Sequence, residues 1–277
     1  MNKPSDIEQT TIPHNPFTVV NDGGRAGVVI ICDHASAHIP LHFDGLGLPR
    51  DQLSRHIAWD IGAGEVSRHL ASLLDAPAIL CGTSRLVIDC NRPFAVDSSI
   101  PEFSDGVEIP GNANLDRVER ERRIDSYFHP YHDEISRHID KKKSHGQAQD
   151  RDQDRDQSRL PALISIHSFT PEMDGFRRPW HVGMLWDQDT RLVASVVEAL
   201  RKDPDMVVGE NEPYDGSNPP GYALQAHAAA NDLPIAVFEI RQDLIATEVE
   251  AERWANILAT ALRPALADYM AQATSDQ

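Results

Sequence analysis

Residues 162–171 read ALISIHSFTP, a mostly apolar run closed by a histidine, a serine and a turn-forming stretch. Ala162–Ile166 is short and lacks the strict alternation of a strand with one face in water, so it reads as a strand covered on both faces. His167 and Ser168 then fall at its carboxyl end, where open parallel sheets bind their ligands. A single polar strand end is weak evidence. The fold and the chemistry turn on whether other strands end in the same way.

They do. VVIICDHAS (28–36) delivers Asp33 and His34, RLVIDCNRP (85–93) delivers Asp89, Asn91 and Arg92, and IAVFEIRQD (235–243) delivers Glu239, Arg241 and Asp243. Strands are predicted at Gly27–Cys32, Pro77–Cys81, Arg85–Cys90, Ala162–Ile166, Trp180–Trp186 and Ile235–Ile240. Between them, helical patterns cover Asp51–Leu74, Asn114–Lys143, Asp189–Arg201 and Glu248–Met270. Strands alternating with helices predict an α/β fold with a mainly parallel sheet.

At 277 residues the chain fits one large domain able to bury a core without disulfides or a structural metal. The cysteines, Cys32, Cys81 and Cys90, lie in apolar stretches without a CxxC pair and read as buried reduced thiols. With 43 acidic against 26 basic residues the net charge is −17, which argues against nucleic acid or an anionic membrane as partner. An anionic substrate would have to be held by locally placed arginines. The first residues lack the apolar core of a signal peptide and no stretch reaches membrane-spanning length, so a cytoplasmic protein is expected. Residues 1–16 read as a loose arm, and the polar run GQAQDRDQDRDQSR (146–159) as a mobile loop or frayed helix end.

The strand ends would converge on one crevice. In HIAWDIGAG (56–64), Asp60 lies three residues after Ile57 and seven after Leu53, on what would be the inward face of a helix. A carboxylate there needs an arginine, a histidine or a metal. Two imidazoles and a carboxylate from separate segments suit a catalytic zinc with an open fourth position, and a further carboxylate could serve as general base. Neighbouring arginines could clamp a substrate carboxylate. Each residue also has a plainer reading. The histidines could be structural, Asp60 could pair with His56, Arg85 with Asp89, and Glu239 with Arg241 or Arg92. His38 follows His34 at metal-like spacing and stands in reserve.

The stretches CDHASAHIP, HIAWDIGA, SRLVIDCNRP, IPGN, RRIDSYFHPYH, ISIHSFTP, RPWHVGMLWDQD, VGENEPY and FEIRQDLI together resemble the N-formylglutamate amidohydrolase family, from about residue 27 to 260. ISIHSF, FEIRQD and DCNRP are also similar to the wider zinc carboxypeptidase-like superfamily. The resemblance implies a three-layer fold, a mainly parallel or mixed central sheet flanked by helices. It implies His34 and His167 as Zn²⁺ ligands, Glu239 as general base, and Asn91 and Arg92 as holders of the substrate carboxylate. Where carboxypeptidases have a glutamate three residues after the first histidine, this chain has Ala37. The carboxylate ligand must therefore come from elsewhere, with Asp60 preferred and Asp33 behind it.

The expected activity is zinc-dependent hydrolysis of a small acidic N-acyl amino acid, N-formyl-L-glutamate being the substrate the resemblance implies. Arg85, Arg178, Ser168 and Arg241 are further candidates for substrate binding. Rival readings are another zinc deacylase or carboxypeptidase on the same site, and a metal-free protein that senses an acidic metabolite.

Overall fold

The computed structural model describes residues 15–151, 160–217 and 221–272. The stretch that opened the sequence reading forms β6, Ala162–Phe169, buried along its whole length. In chain order the first half comprises β1 (Phe17–Val20), β2 (Val28–Cys32), the single turn α1 (Arg50–Leu53), α2 (Ala63–Leu74), β3 (Ala78–Cys81), the hairpin β4 (Phe103–Ser104) and β5 (Val107–Glu108), α3 (Arg117–Arg123) and α4 (His129–Arg151). After β6 come the hairpin β7 (Glu172–Met173) and β8 (Phe176–Arg177), then β9 (Val182–Leu185), α5 (Val193–Leu200), β10 (Val208–Glu210), β11 (Ile235–Arg241) and α6 (Glu248–Gln272).

The main sheet has seven strands in the order β1-β3-β2-β6-β11-β9-β10. Its centre is parallel, β3 to β2, β2 to β6 and β6 to β11, while β1 and β9 run against their neighbours β3 and β11. Alternate residues of each strand face opposite layers. Ile30, Ile164 and Phe238 pack with Leu70 of α2, Val196 of α5 and Leu258 of α6. Ile31, Leu163 and Val237 face the other way, toward Tyr131 and Ile135 of α4. The result is a three-layer α/β arrangement around a mixed, mainly parallel sheet, as the sequence predicts.

Two local expectations fail. Residues 85–90 are not a strand. Their backbone groups find partners among side chains and loops: the Leu86 carbonyl accepts from Asn112 Nδ2 (2.8 Å), that of Val87 from Arg123 (3.0 Å) and that of Cys90 from His132 Nε2 (2.9 Å), while the Asp89 N–H donates to the Ser99 carbonyl (2.7 Å). Apolar composition predicted burial there correctly, but a strand needs a free sheet edge and this segment has none. The helix expected over 51–74 is also broken, into α1 and α2. Gly62 stands between them at φ 80°, and a Cβ there would lie 2.1 Å from the Ile245 carbonyl oxygen. Asp60 therefore sits in a turn before α2, not on a helix face. Elsewhere α4 continues to Arg151, into the polar run read as a mobile loop or frayed helix end, and its first residues are a helix end. The remainder of that run, and residues 1–14 of the predicted arm, lie outside the described residues.

Candidate active site

The buried carboxyl ends of β2, β6 and β11 bring the chemistry together. His34 follows β2 by two residues, His167 lies within β6, and the turn carrying Asp60 is tied to the first strand by the Asp60 N–H donating to the His34 carbonyl (2.9 Å). His34, Asp60 and His167 are all buried, and a ligand atom from each lies within 4.8 Å of the others. The imidazole centroids are 5.1 Å apart. Both Nδ1 atoms face the same oxygen, Asp60 Oδ2, at 3.2 Å from His34 and 2.9 Å from His167.

The far ring nitrogens meet carboxylates as well. His34 Nε2 is 2.8 Å from Asp89 Oδ1, and His167 Nε2 is 3.4 Å from Asp33 Oδ2. Asp33 Oδ1 in turn accepts from the Tyr131 hydroxyl at 2.9 Å. Asp33 thus stands behind the His167 ring, and it is Asp60 that lies beside the converging Nδ1 atoms. Exposed His38 is outside the cluster.

The charges in this cluster favour a cation. Burial and Arg85 oppose protonation of His34, yet Asp89 and Asp60 outweigh them and raise its pKa. Burial likewise opposes charge on His167, but contacts with Asp33 and Asp60 hold its pKa well above the ordinary value. Burial disfavours the Asp60 carboxylate, while His34 and Arg85 pull its pKa well below the usual range. Two nitrogens and one oxygen, with a carboxylate behind each ring, are a donor set that fits zinc with a position left open.

Glu239 lies alongside. The register of β6 and β11 pairs it with His167. It is buried, and its Oε2 has no hydrogen-bond partner among the described residues. Burial pushes its pKa up to about 7, with Asp60 adding to the effect and His167 and Arg85 opposing it. The proposed pairing with Arg241 does not occur: that guanidinium donates to Asp243 (2.8 Å) and reaches the Trp180 carbonyl (3.4 Å).

A cleft of about 470 Å³ opens over these groups, and Arg85, Asn91, Arg92, Ser168 and Tyr214 also border it. Arg85 spans Asp60 (3.0 Å) and Asp89 (3.4 Å). Arg92 has no hydrogen-bond or ion-pair partner for its guanidinium among the described residues. The Ser168 hydroxyl donates to the Ile61 carbonyl at 2.9 Å. Arg178 does not border the cleft. It is buried behind Tyr214, donating to that hydroxyl (3.3 Å) and to Thr170 Oγ1 (3.2 Å). The structure therefore gathers His34, Asp60, His167, Glu239, Asn91, Arg92, Arg85 and Ser168, and leaves Arg178 and Arg241 outside.

Sequence reasoning quoted RRIDSYFHPYH and VGENEPY but did not single out Tyr131, His132 or Tyr214 within them, and it missed His227, whose ring nitrogen lies 2.9 Å from that of the buried His132. Tyr131 carried a usable signal, since it lies four residues before Ile135 on the inward face of α4. Tyr214 sits in an irregular segment where no periodicity could point to it.

A family model described as N-formylglutamate amidohydrolase matches residues 26–246. The crystal structure of the gene product Atu2144 from Agrobacterium tumefaciens is 35% identical, with a TM-score of 0.81 over 92% of this chain and 96% of that one. The N-formylglutamate amidohydrolase from Ralstonia eutropha JMP134 is 16% identical, with a TM-score of 0.62 over 93% of this chain and 99% of its own, a likeness of fold. No curated protein matches the chain.

Proposed function

The chain belongs to the N-formylglutamate amidohydrolase family, and from that premise we propose that it is a zinc-dependent hydrolase of N-acyl amino acids, with His34, Asp60 and His167 as the metal ligands. The observation that carries this reading is the convergence of both Nδ1 atoms on Asp60 Oδ2 with Glu239 alongside. Zinc, when bound, supplies Lewis acidity toward an amide carbonyl and makes water a stronger acid.

The chain's own groups do the rest. Glu239, its pKa near neutrality, takes a proton from the attacking water and delivers it to the departing amine nitrogen. The amide C–N bond breaks, leaving a free amino acid and a carboxylic acid. Arg92, unpaired on the cleft wall, receives the substrate's α-carboxylate in a two-pronged contact, with the Asn91 amide beside it. Arg85 is held by Asp60 and Asp89 and acts chiefly by keeping Asp60 ionised. N-formyl-L-glutamate is the first substrate to try. The test is elemental analysis of protein purified without added metal, followed by amine release from an N-acyl amino acid panel. Protein that binds no zinc and releases no amine after zinc addition would overturn the proposal.

A further inference from the structure

The pleat of β11 makes a statement about substrate size. Ile235, Val237 and Glu239 alternate onto one face of the strand, and all three border the cleft. At about 3.3 Å per residue, the floor runs about 13 Å from the Glu239 carboxylate position to Ile235. Leu185 of β9 flanks Val237 on one side and Ser165 of β6 on the other, and Leu224 also borders the cleft, so this arm is apolar apart from the Ser165 hydroxyl. A formyl group would fill only its first few ångströms.

Charge points the same way. Among the described residues the arginines bordering the cleft are Arg85 and Arg92, and Arg85 is already engaged by Asp60 and Asp89. That leaves Arg92 for a substrate anion. A second carboxylate, such as a glutamate side chain would bring, finds no further unengaged arginine on the cleft wall among the described residues, and Asp215 adds a like charge there. Burying an unpaired carboxylate is strongly unfavourable.

We propose that the preferred substrate is an N-acyl amino acid with a single carboxylate and a large apolar substituent lying along Val237 and Ile235, an inference that rests on the amidohydrolase reading. The substituent can be the amino-acid side chain or the acyl chain. The chemistry of recognition is the same in both.

The experiment compares kcat/KM of the zinc-loaded full chain for N-formyl-L-glutamate, N-formyl-L-leucine, N-formyl-L-phenylalanine and N-octanoylglycine. At least one apolar substrate should exceed the glutamate compound by roughly tenfold or more, the scale on which an apolar pocket discriminates. The formyl and octanoyl arms tell which end of the substrate occupies the trough. Leu224→Lys should erode that preference at unchanged zinc content, and the milder Ile235→Ala should do so in part. A preference for N-formyl-L-glutamate would overturn this inference and leave the amidohydrolase reading intact. Hydrolysis of none of the four would overturn both.

Discussion

Glu239 and His167 occupy the same rung of the parallel pair β6 and β11. Residues paired in this way present their side chains to the same face of a sheet. The proposed general base is therefore fixed beside a proposed metal ligand by backbone hydrogen bonding rather than by side-chain contact. Glu239→Gln keeps the shape and removes the proton acceptor. We expect kcat to fall by about 10²–10⁴-fold with zinc retained. A variant that turns over at near wild-type rate would remove Glu239 from the mechanism.

His167→Ala should lose bound zinc and activity together while far-ultraviolet circular dichroism stays native. Zinc content measured after dialysis checks this. Full retention of zinc would show that the metal lies elsewhere.

Arg92→Lys preserves charge but cannot reproduce a planar two-pronged contact. KM should rise by roughly tenfold, on the scale of a lost charge-assisted hydrogen bond, with kcat changed less. Unchanged steady-state constants would count against the clamp.

Asp33 tests the groups behind the ligands. Asp33→Asn removes the carboxylate next to His167 Nε2, and loss of such outer partners typically weakens metal affinity by about 10–100-fold. Tyr131→Phe, which deletes only the 2.9 Å hydrogen bond to Asp33, should have a smaller effect in the same direction. Competition against a chromophoric chelator reads both. Wild-type affinity in Asp33→Asn would show that His167 holds its orientation without it.

Acid sensitivity should trace in part to His132. Burial, reinforced by His227, pushes its pKa down to about 3. Its Nε2–H donates to the Cys90 carbonyl, so its Nδ1 accepts from His227. Below the unfolded value of about 6.5 the unfolded chain binds the extra proton and the folded chain does not, so stability falls as pH falls. From pH 7 to 5 this one group should cost about 2 kcal/mol. His132→Gln can keep a donor for Cys90 and should flatten that limb of a melting-temperature profile. An identical slope in the variant would assign the acid sensitivity to other groups.

Apolar runs such as Val28–Cys32 and Ile235–Phe238 were legible as buried strands because they are short, rich in β-branched and aromatic residues, and bounded by turn-forming stretches. The polar residues at their ends then located the site. Residues 85–90 misled because burial and strand formation leave the same apolar signature, and only the distant donors Asn112, Arg123 and His132 decide between them. Asp60 was found for a partly wrong reason: its inward position comes from the turn at Gly62, not from a helical period. Arg178 and Arg241 could not be excluded from sequence, since their direction depends on Tyr214 and Asp243, whose placement no local pattern specifies.

The side-chain scaffold under residues 85–92 bears on how defects in this protein would look to a geneticist. Arg123, buried, donates to the Val87 carbonyl and to Asn112 Oδ1, while Asn112 donates to the Leu86 carbonyl. These are isolated anchors without a ladder to share their loss. Alleles altering Arg123 or Asn112 should therefore emerge from an activity screen as apparent active-site lesions, yet regain function when the host is grown cool.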